Sequence, residues 1–109
     1  MKDFVINIKF HYLYRDAGNY KNYGHLIFPN PNNIQIETLL KKLQENLIDS
    51  EFFEPISVGV PLLDVENRDE ELDHDWYEFE KITQTQEFPT ETKTINEFLE
   101  SFIKHKKIG

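Results

Sequence analysis

The sequence predicts one α+β domain over residues 1–109, built as two strands, a helix, two more strands and a final helix. Three observations predict it. Residues 4–15 alternate apolar and polar with a period of two. Residues 36–47 and 95–102 repeat their apolar positions every three to four residues, the spacing of an amphipathic helix. Turn-forming Gly, Pro and Asn fall between these stretches. This order gives a mostly antiparallel sheet with both helices on one face. A β-grasp-like fold shares the order and is the alternative.

The first strand places Phe4, Ile6, Ile8, Phe10, Tyr12 and Tyr14 on one face and Val5, Asn7, Lys9, His11, Leu13 and Arg15 on the other. Asp16-Ala17-Gly18-Asn19 supplies turn chemistry, and a second strand over about 20–28 ends at Pro29. Pairing residues whose numbers sum to 36 sets Phe10 beside Leu26 and Ile8 beside Phe28. A register two residues longer keeps the same faces, so the turn stays open. Ile36, Leu39, Leu40, Leu43 and Leu47 form the stripe of the first helix, and Lys41, Lys42, Gln44 and Glu45 its wet side. Phe52 and Phe53 are expected to dock into the core. A short strand is expected over 56–60, stopped by Pro61. Alternation returns from Trp76, with Tyr77 and Phe79 on one face and Trp76, Glu78, Glu80 and Ile82 on the other. Thr94-Ile95-Asn96-Glu97 matches a capping box, and Ile95, Phe98, Leu99 and Phe102 form the buried stripe of the last helix.

Composition narrows the function. The chain has 12 Lys+Arg, 20 Asp+Glu, 4 His and no Cys. Absence of Cys removes disulfides, thiolate metal sites and a Cys nucleophile. No apolar run reaches the 18 or so residues of a membrane span. Met1-Lys2-Asp3-Phe4 runs directly into alternation, unlike a signal peptide, so a cytoplasmic protein is expected. Gly18, Gly24, Gly59 and Gly109 stand apart, which leaves no phosphate-cradling loop. Ser50, Ser57 and Ser101 have no nearby His in sequence. No catalytic residue, cofactor or enzymatic activity is expected.

The net charge of −8 is concentrated. Residues 64–80 carry nine of the 20 acids and one base, Arg68, leaving eleven of each sign elsewhere. Such a field repels nucleic acid and anionic lipid, and attracts a basic protein face. The acids Asp64, Glu66, Asp69, Glu70, Glu71, Asp73 and Asp75 are therefore candidate partner-binding residues. Trp76, Tyr20 and Tyr23 are the candidate aromatic anchors, since Trp and Tyr offer flat apolar area with a polar tip.

Two other readings rest on single features. His11 and His25 become direct cross-strand neighbours in the sum-36 register, about 5 Å apart at Cβ, close enough to share a metal with Glu78 or Glu80. The spacing lacks a third dedicated ligand, and an EF-hand reading from Asp64 fails because Asp69 stands where Gly is required. Gly109 after Lys106-Lys107-Ile108 admits a ubiquitin-like modifier, without a Gly-Gly pair.

The hairpin Tyr14-Arg15-Asp16-Ala17-Gly18-Asn19-Tyr20-Lys21-Asn22 resembles that of a group of small, acidic, uncharacterised bacterial proteins. Leu47–Phe53 leading to Gly59-Val60-Pro61, and His74–Phe79, share in that resemblance. It implies a bacterial or phage protein of the cytosol and carries no catalytic residues. The expectation from sequence is a non-enzymatic module that docks a basic partner through residues 64–80. A small-ligand or metal-binding domain using the 11–25 hairpin face is the alternative.

Overall fold

The structure is a computed structural model that describes residues 5–16, 18–63 and 76–108, the last four of these by backbone alone. Strands β1 (Asn7–Arg15) and β2 (Lys21–Phe28) form a hairpin, followed by helix α1 (Ile36–Glu45). Strand β3 (Phe52–Phe53), strand β4 (Tyr77–Thr85) and helix α2 (Ile95–Ile108) complete the order. The sheet runs β2-β1-β4-β3 with every pairing antiparallel. This is the α+β arrangement that the alternation and the two helical stripes predict.

The hairpin adopts the sum-36 register, with Phe10 opposite Leu26 and His11 opposite His25. Its turn is tied by Asp16. The Asp16 carboxylate accepts from the backbone N–H of Gly18 at 2.9 Å and of Tyr20 at 3.0 Å. Asn19 takes a left-handed φ of 65°, which Asn tolerates better than most residues.

One face of the sheet carries the core. Ile8, Phe10, Tyr12, Tyr14, Leu26, Phe28, Phe53, Tyr77 and Ile82 pack there against Leu39 and Leu43 of α1 and Ile95, Phe98, Leu99 and Phe102 of α2. The α2 start is a reciprocal capping box. Glu97 N–H donates to Thr94 Oγ1 at 3.2 Å, and Thr94 N–H donates to Glu97 Oε1 at 2.8 Å. The α2 entry is also tied to the end of β2, because Ile95 N–H donates to the Pro29 carbonyl at 2.9 Å.

Three local expectations are corrected. Residues 56–58 form a 3-10 turn rather than a strand. Pro55 opens it and Gly59 closes it at φ +77°, a left-handed conformation that continues no strand. The third strand lies earlier, where only Phe53 is buried and Phe52 faces the other way. Strand β4 carries a bulge opposite His11 and Tyr12. Phe79 pairs with Tyr12 and Lys81 with His11, leaving Glu80 as the extra residue. The bulge reverses parity, so Ile82 reaches the core face rather than sharing a face with Trp76 and Glu78.

Candidate functional site

Among the described residues no helix covers the second face of the sheet, and the residues of that face follow from register. Cross-strand partners share a face, so Tyr23, Leu13, Glu78 and Phe52 form one row across β2, β1, β4 and β3. Beyond them Arg15 lies opposite Lys21. On the other side, His25, His11 and Lys81 form the next row. Lys9 follows, between Ile27 and Thr83.

The face has two chemically distinct ends. Around the Tyr23 row, Arg15 Nε donates to Glu78 Oε2 at 2.9 Å and Nη2 to Glu78 Oε1 at 3.3 Å, a two-pronged ion pair. Arg15 Nη1 also donates to Asn19 Oδ1 at 2.8 Å, which couples the pair to the turn. Leu13 is only 7% exposed among these groups, while Tyr23 remains 59% exposed. Trp76 precedes β4, packs on Phe52 with ring centroids 6.1 Å apart, and keeps 43% of its surface exposed.

At the opposite end, residues 86–91 cross the strands. Asn7 Nδ2 donates to the Glu87 carbonyl at 2.7 Å, which explains why a polar residue on the open face is nevertheless buried. Lys9 reaches Glu87 at 3.0 Å. That hydrogen bond, followed by one from Thr85, holds the Glu87 carboxyl below its ordinary range. Phe88, at the crest of this crossing, is 92% exposed.

Between the ends lies a positive band. His11 Nε2 shares a hydrogen bond of 2.9 Å with Thr83 Oγ1. Burial, then Lys81 and Lys9, lower the His11 pKa from its ordinary value. Both ring neighbourhood and lysine field favour the neutral imidazole.

The structure separates the sequence-predicted residues. Of the four tyrosines in the hairpin, Tyr12 and Tyr14 are buried in the core, whereas Tyr23 and Tyr20 are exposed. Trp76 and Tyr23 lie at the same end of the open face on strands with β1 between them, on the order of 10 Å across the sheet at about 4.8 Å per strand. Asp64, Glu66, Asp69, Glu70, Glu71, Asp73 and Asp75 lie outside the described residues, as does Gly109. His11 and His25 are direct neighbours, but Glu78 is held by Arg15 rather than turned toward them. Among the described residues no three metal-type donors gather.

Sequence reasoning missed Phe52, Leu13 and the Arg15–Glu78 pair as parts of this surface. Parity was the available signal: Phe52 and Phe53 are adjacent in a strand and must face opposite sides. Phe88-Pro89 reads from the sequence as an anchor and turn, but Phe88 anchors nothing at 92% exposure, because an exposed and a buried Phe beside Pro read alike.

No described helix is long and apolar enough to cross a membrane. In comparison with known proteins, no family model matches this chain, and neither a curated protein nor a solved structure does.

Proposed function

We propose that the chain is a non-enzymatic protein-interaction module that docks a basic face of another protein. Immunity proteins, antitoxins and inhibitors of host defence work in this manner, as small binders without chemistry of their own. The acidic residues 64–75 would steer a basic partner, and Trp76 and Tyr23 would anchor it.

The observation that supports this reading most is the position of Trp76. It follows the acidic run directly in sequence, and it is a half-exposed indole braced against Phe52 on the sheet face opposite the helices. An indole held at one edge by a neighbouring ring loses little freedom on binding. Its exposed face suits the Arg and Lys side chains of a basic partner through cation–π contact. Tyr23, one row across with its own face exposed, extends the same chemistry. The Tyr20 ring, 77% exposed in the turn, is the outlying anchor.

The test is capture from source-cell lysate with three baits. These are the native chain, a variant with Asp69→Asn, Glu70→Gln, Glu71→Gln and Asp73→Asn together, and Trp76→Ala. A basic protein retained by the native chain and lost from both variants supports the reading. Kinetics then separate the roles. The acid variant should lower the association rate and flatten its salt dependence. Trp76→Ala should raise the dissociation rate, with a loss of about 2 kcal/mol, roughly 30-fold, if the indole is a hot spot. The same proteins on all three baits would reject the reading.

A further inference from the structure

Parity around the β4 bulge places an acid beside the cross-strand histidines. Phe79 and Ile82 both pack on the core face. Alternation sends the neighbour of each to the opposite side, so the two residues between them, Glu80 and Lys81, both belong to the open face. Without the bulge only one of two successive residues would do so. Lys81 pairs with His11, and Glu80 is close enough for its charge to act on the same imidazole.

The hairpin brings His25 to the same place. Ile27 N–H donates to Thr90 Oγ1 at 2.8 Å, and its carbonyl accepts from the N–H groups of Thr90 at 2.9 Å and Glu91 at 3.1 Å. Both backbone groups of Ile27 therefore point away from β1, so Lys9 and Ile27 form a pair without mutual hydrogen bonds. Two residues along, His11 and His25 form a pair of the same kind. Such pairs have Cα atoms about 4.5 Å apart and the closer side-chain approach of the two antiparallel pair types.

The donors are in the state that a metal ion needs. A metal takes the neutral imidazole, and burial, then Lys81 and Lys9, favours that form at His11. His11 Nε2 is engaged with Thr83 Oγ1 at 2.9 Å. With Nε2–H donating there, Nδ1 carries the free lone pair; ligating histidines ordinarily give their other N–H to such an oxygen. The His25 ring is exposed and, among the described residues, makes no hydrogen bond. The carboxylates divide by the same criterion. Glu78 is held by Arg15, and Glu87 by Lys9 and Thr85. Glu80 is exposed, and among the described residues no hydrogen bond or ion pair holds it. Lys81, also exposed, opposes a cation at this position.

We propose that His11 and His25 form a site for a divalent first-row transition ion such as Zn²⁺, with the Glu80 carboxylate rotating in as a third ligand. The two imidazoles are the primary ligands, because the strand register already sets them side by side, whereas the three donors gather only when Glu80 turns about its side-chain bonds. Two imidazoles and a carboxylate suit Zn²⁺, Ni²⁺ or Cu²⁺; Mg²⁺ prefers oxygen donors. The site is independent of Trp76 and of residues 64–75. An ion bridging β1 and β2 binds the folded chain alone and so stabilises it.

The test adds Zn²⁺, and Mg²⁺ as its control, to the full chain at about pH 7.5, above the ordinary histidine pKa of about 6.5. Imidazole nitrogens are followed by NMR and Tm by calorimetry. Zn²⁺ is expected to shift the His11 and His25 rings together, to saturate at one ion per chain and to raise Tm, and Mg²⁺ to do none of these. Thr83→Val should weaken Zn²⁺ binding about tenfold and His25→Gln by more. Glu80→Gln should weaken it less than His25→Gln does. Lys81→Met removes the opposing charge and should tighten binding, a gain that a merely damaged fold would not produce. His25 is exposed, so its Gln variant keeps the fold. Four results would overturn the proposal: shifts at only one of the two rings, saturation centred on His74 or the acids of 64–75, equal affinity for the native chain and His25→Gln, or no saturable binding.

Discussion

On the helix-covered side of the sheet, Phe10 meets Tyr12, Phe53, Phe79, Phe98 and Phe102 with ring centroids 4.9 to 6.3 Å apart. On the open side the same strand presents Lys9, His11, Leu13 and Arg15, and each cation or imidazole there finds a polar neighbour. One strand thus serves two environments through its period of two. The covered face is held by burial, which is non-directional and tolerates rings at many angles. The open face is organised by directed contacts, Arg15 to Glu78, Lys9 to Glu87 and His11 to Thr83, which leave aromatic surface available at the ends. The comparison teaches that the faces should respond differently to substitution: the covered face in stability, the open face in binding.

The largest effect is expected where the covered face is densest. Phe98 is fully buried between Phe28, Phe10 and Phe102, and Phe98→Ala should cost about 3–5 kcal/mol in denaturant unfolding. Tyr23→Ala on the open face should stay within about 0.5 kcal/mol in the same assay. Similar losses for the two would break the contrast between the faces.

Gly24 sharpens the comparison, because the Tyr12 ring packs there directly against the backbone of β2. A Cβ there would stand 2.6 to 2.8 Å from the Tyr12 ring atoms. Gly24→Ala should therefore displace Tyr12 and cost about 1–3 kcal/mol, as overpacking does. Unchanged stability would mean that the Tyr12 ring moves aside without penalty. Next in size, Thr94→Ala removes half of the capping box and should cost about 1 kcal/mol. Its loss should appear as faster amide exchange in the first turn of α2.

The smallest effect concerns His11. Burial, Lys81 and Lys9 lower its folded pKa from 6.5. A lowered histidine pKa means that the unfolded chain binds the proton more tightly. The contribution of His11 to stability is thus complete above pH 6.5, and it is lost as pH falls through the folded pKa. An NMR titration should place the His11 midpoint below 6.5. Lys81→Met should move it upward, since one of the opposing charges is gone. A midpoint above 6.5 in the native chain would mean that the positive band does not act on the ring.

Much of the fold was legible because it rests on local periodicity. The hairpin register followed from matching apolar faces, and the α2 start from one four-residue capping signal. The bulge at Glu80 was not legible. It inserts a single residue, and nothing in the alternation of Tyr77 to Ile82 marks where parity reverses. The turn at 56–58 was misread for a related reason: five residues of alternating character suit a strand until Pro55 and the left-handed Gly59 are placed. Of the candidate site, the opposition of His11 and His25 was readable from the register. The separation of Tyr12 and Tyr14 from Tyr20 and Tyr23 was not, because a tyrosine reads the same in a core and on a surface.

The sequence by itself determined the element order, the core stripes, the hairpin pairing and the concentration of acid in residues 64–80. These depend on residue type and spacing along the chain, where period and charge are fully expressed. Tertiary structure alone decided which face of the sheet the helices cover and that Glu87 and Thr90 reach back across β1 and β2. Those outcomes depend on contacts between residues more than 60 positions apart, such as Thr90 to Ile27 and Arg15 to Glu78. Such contacts form only when the packed layers bring distant segments into register, and no local pattern records them.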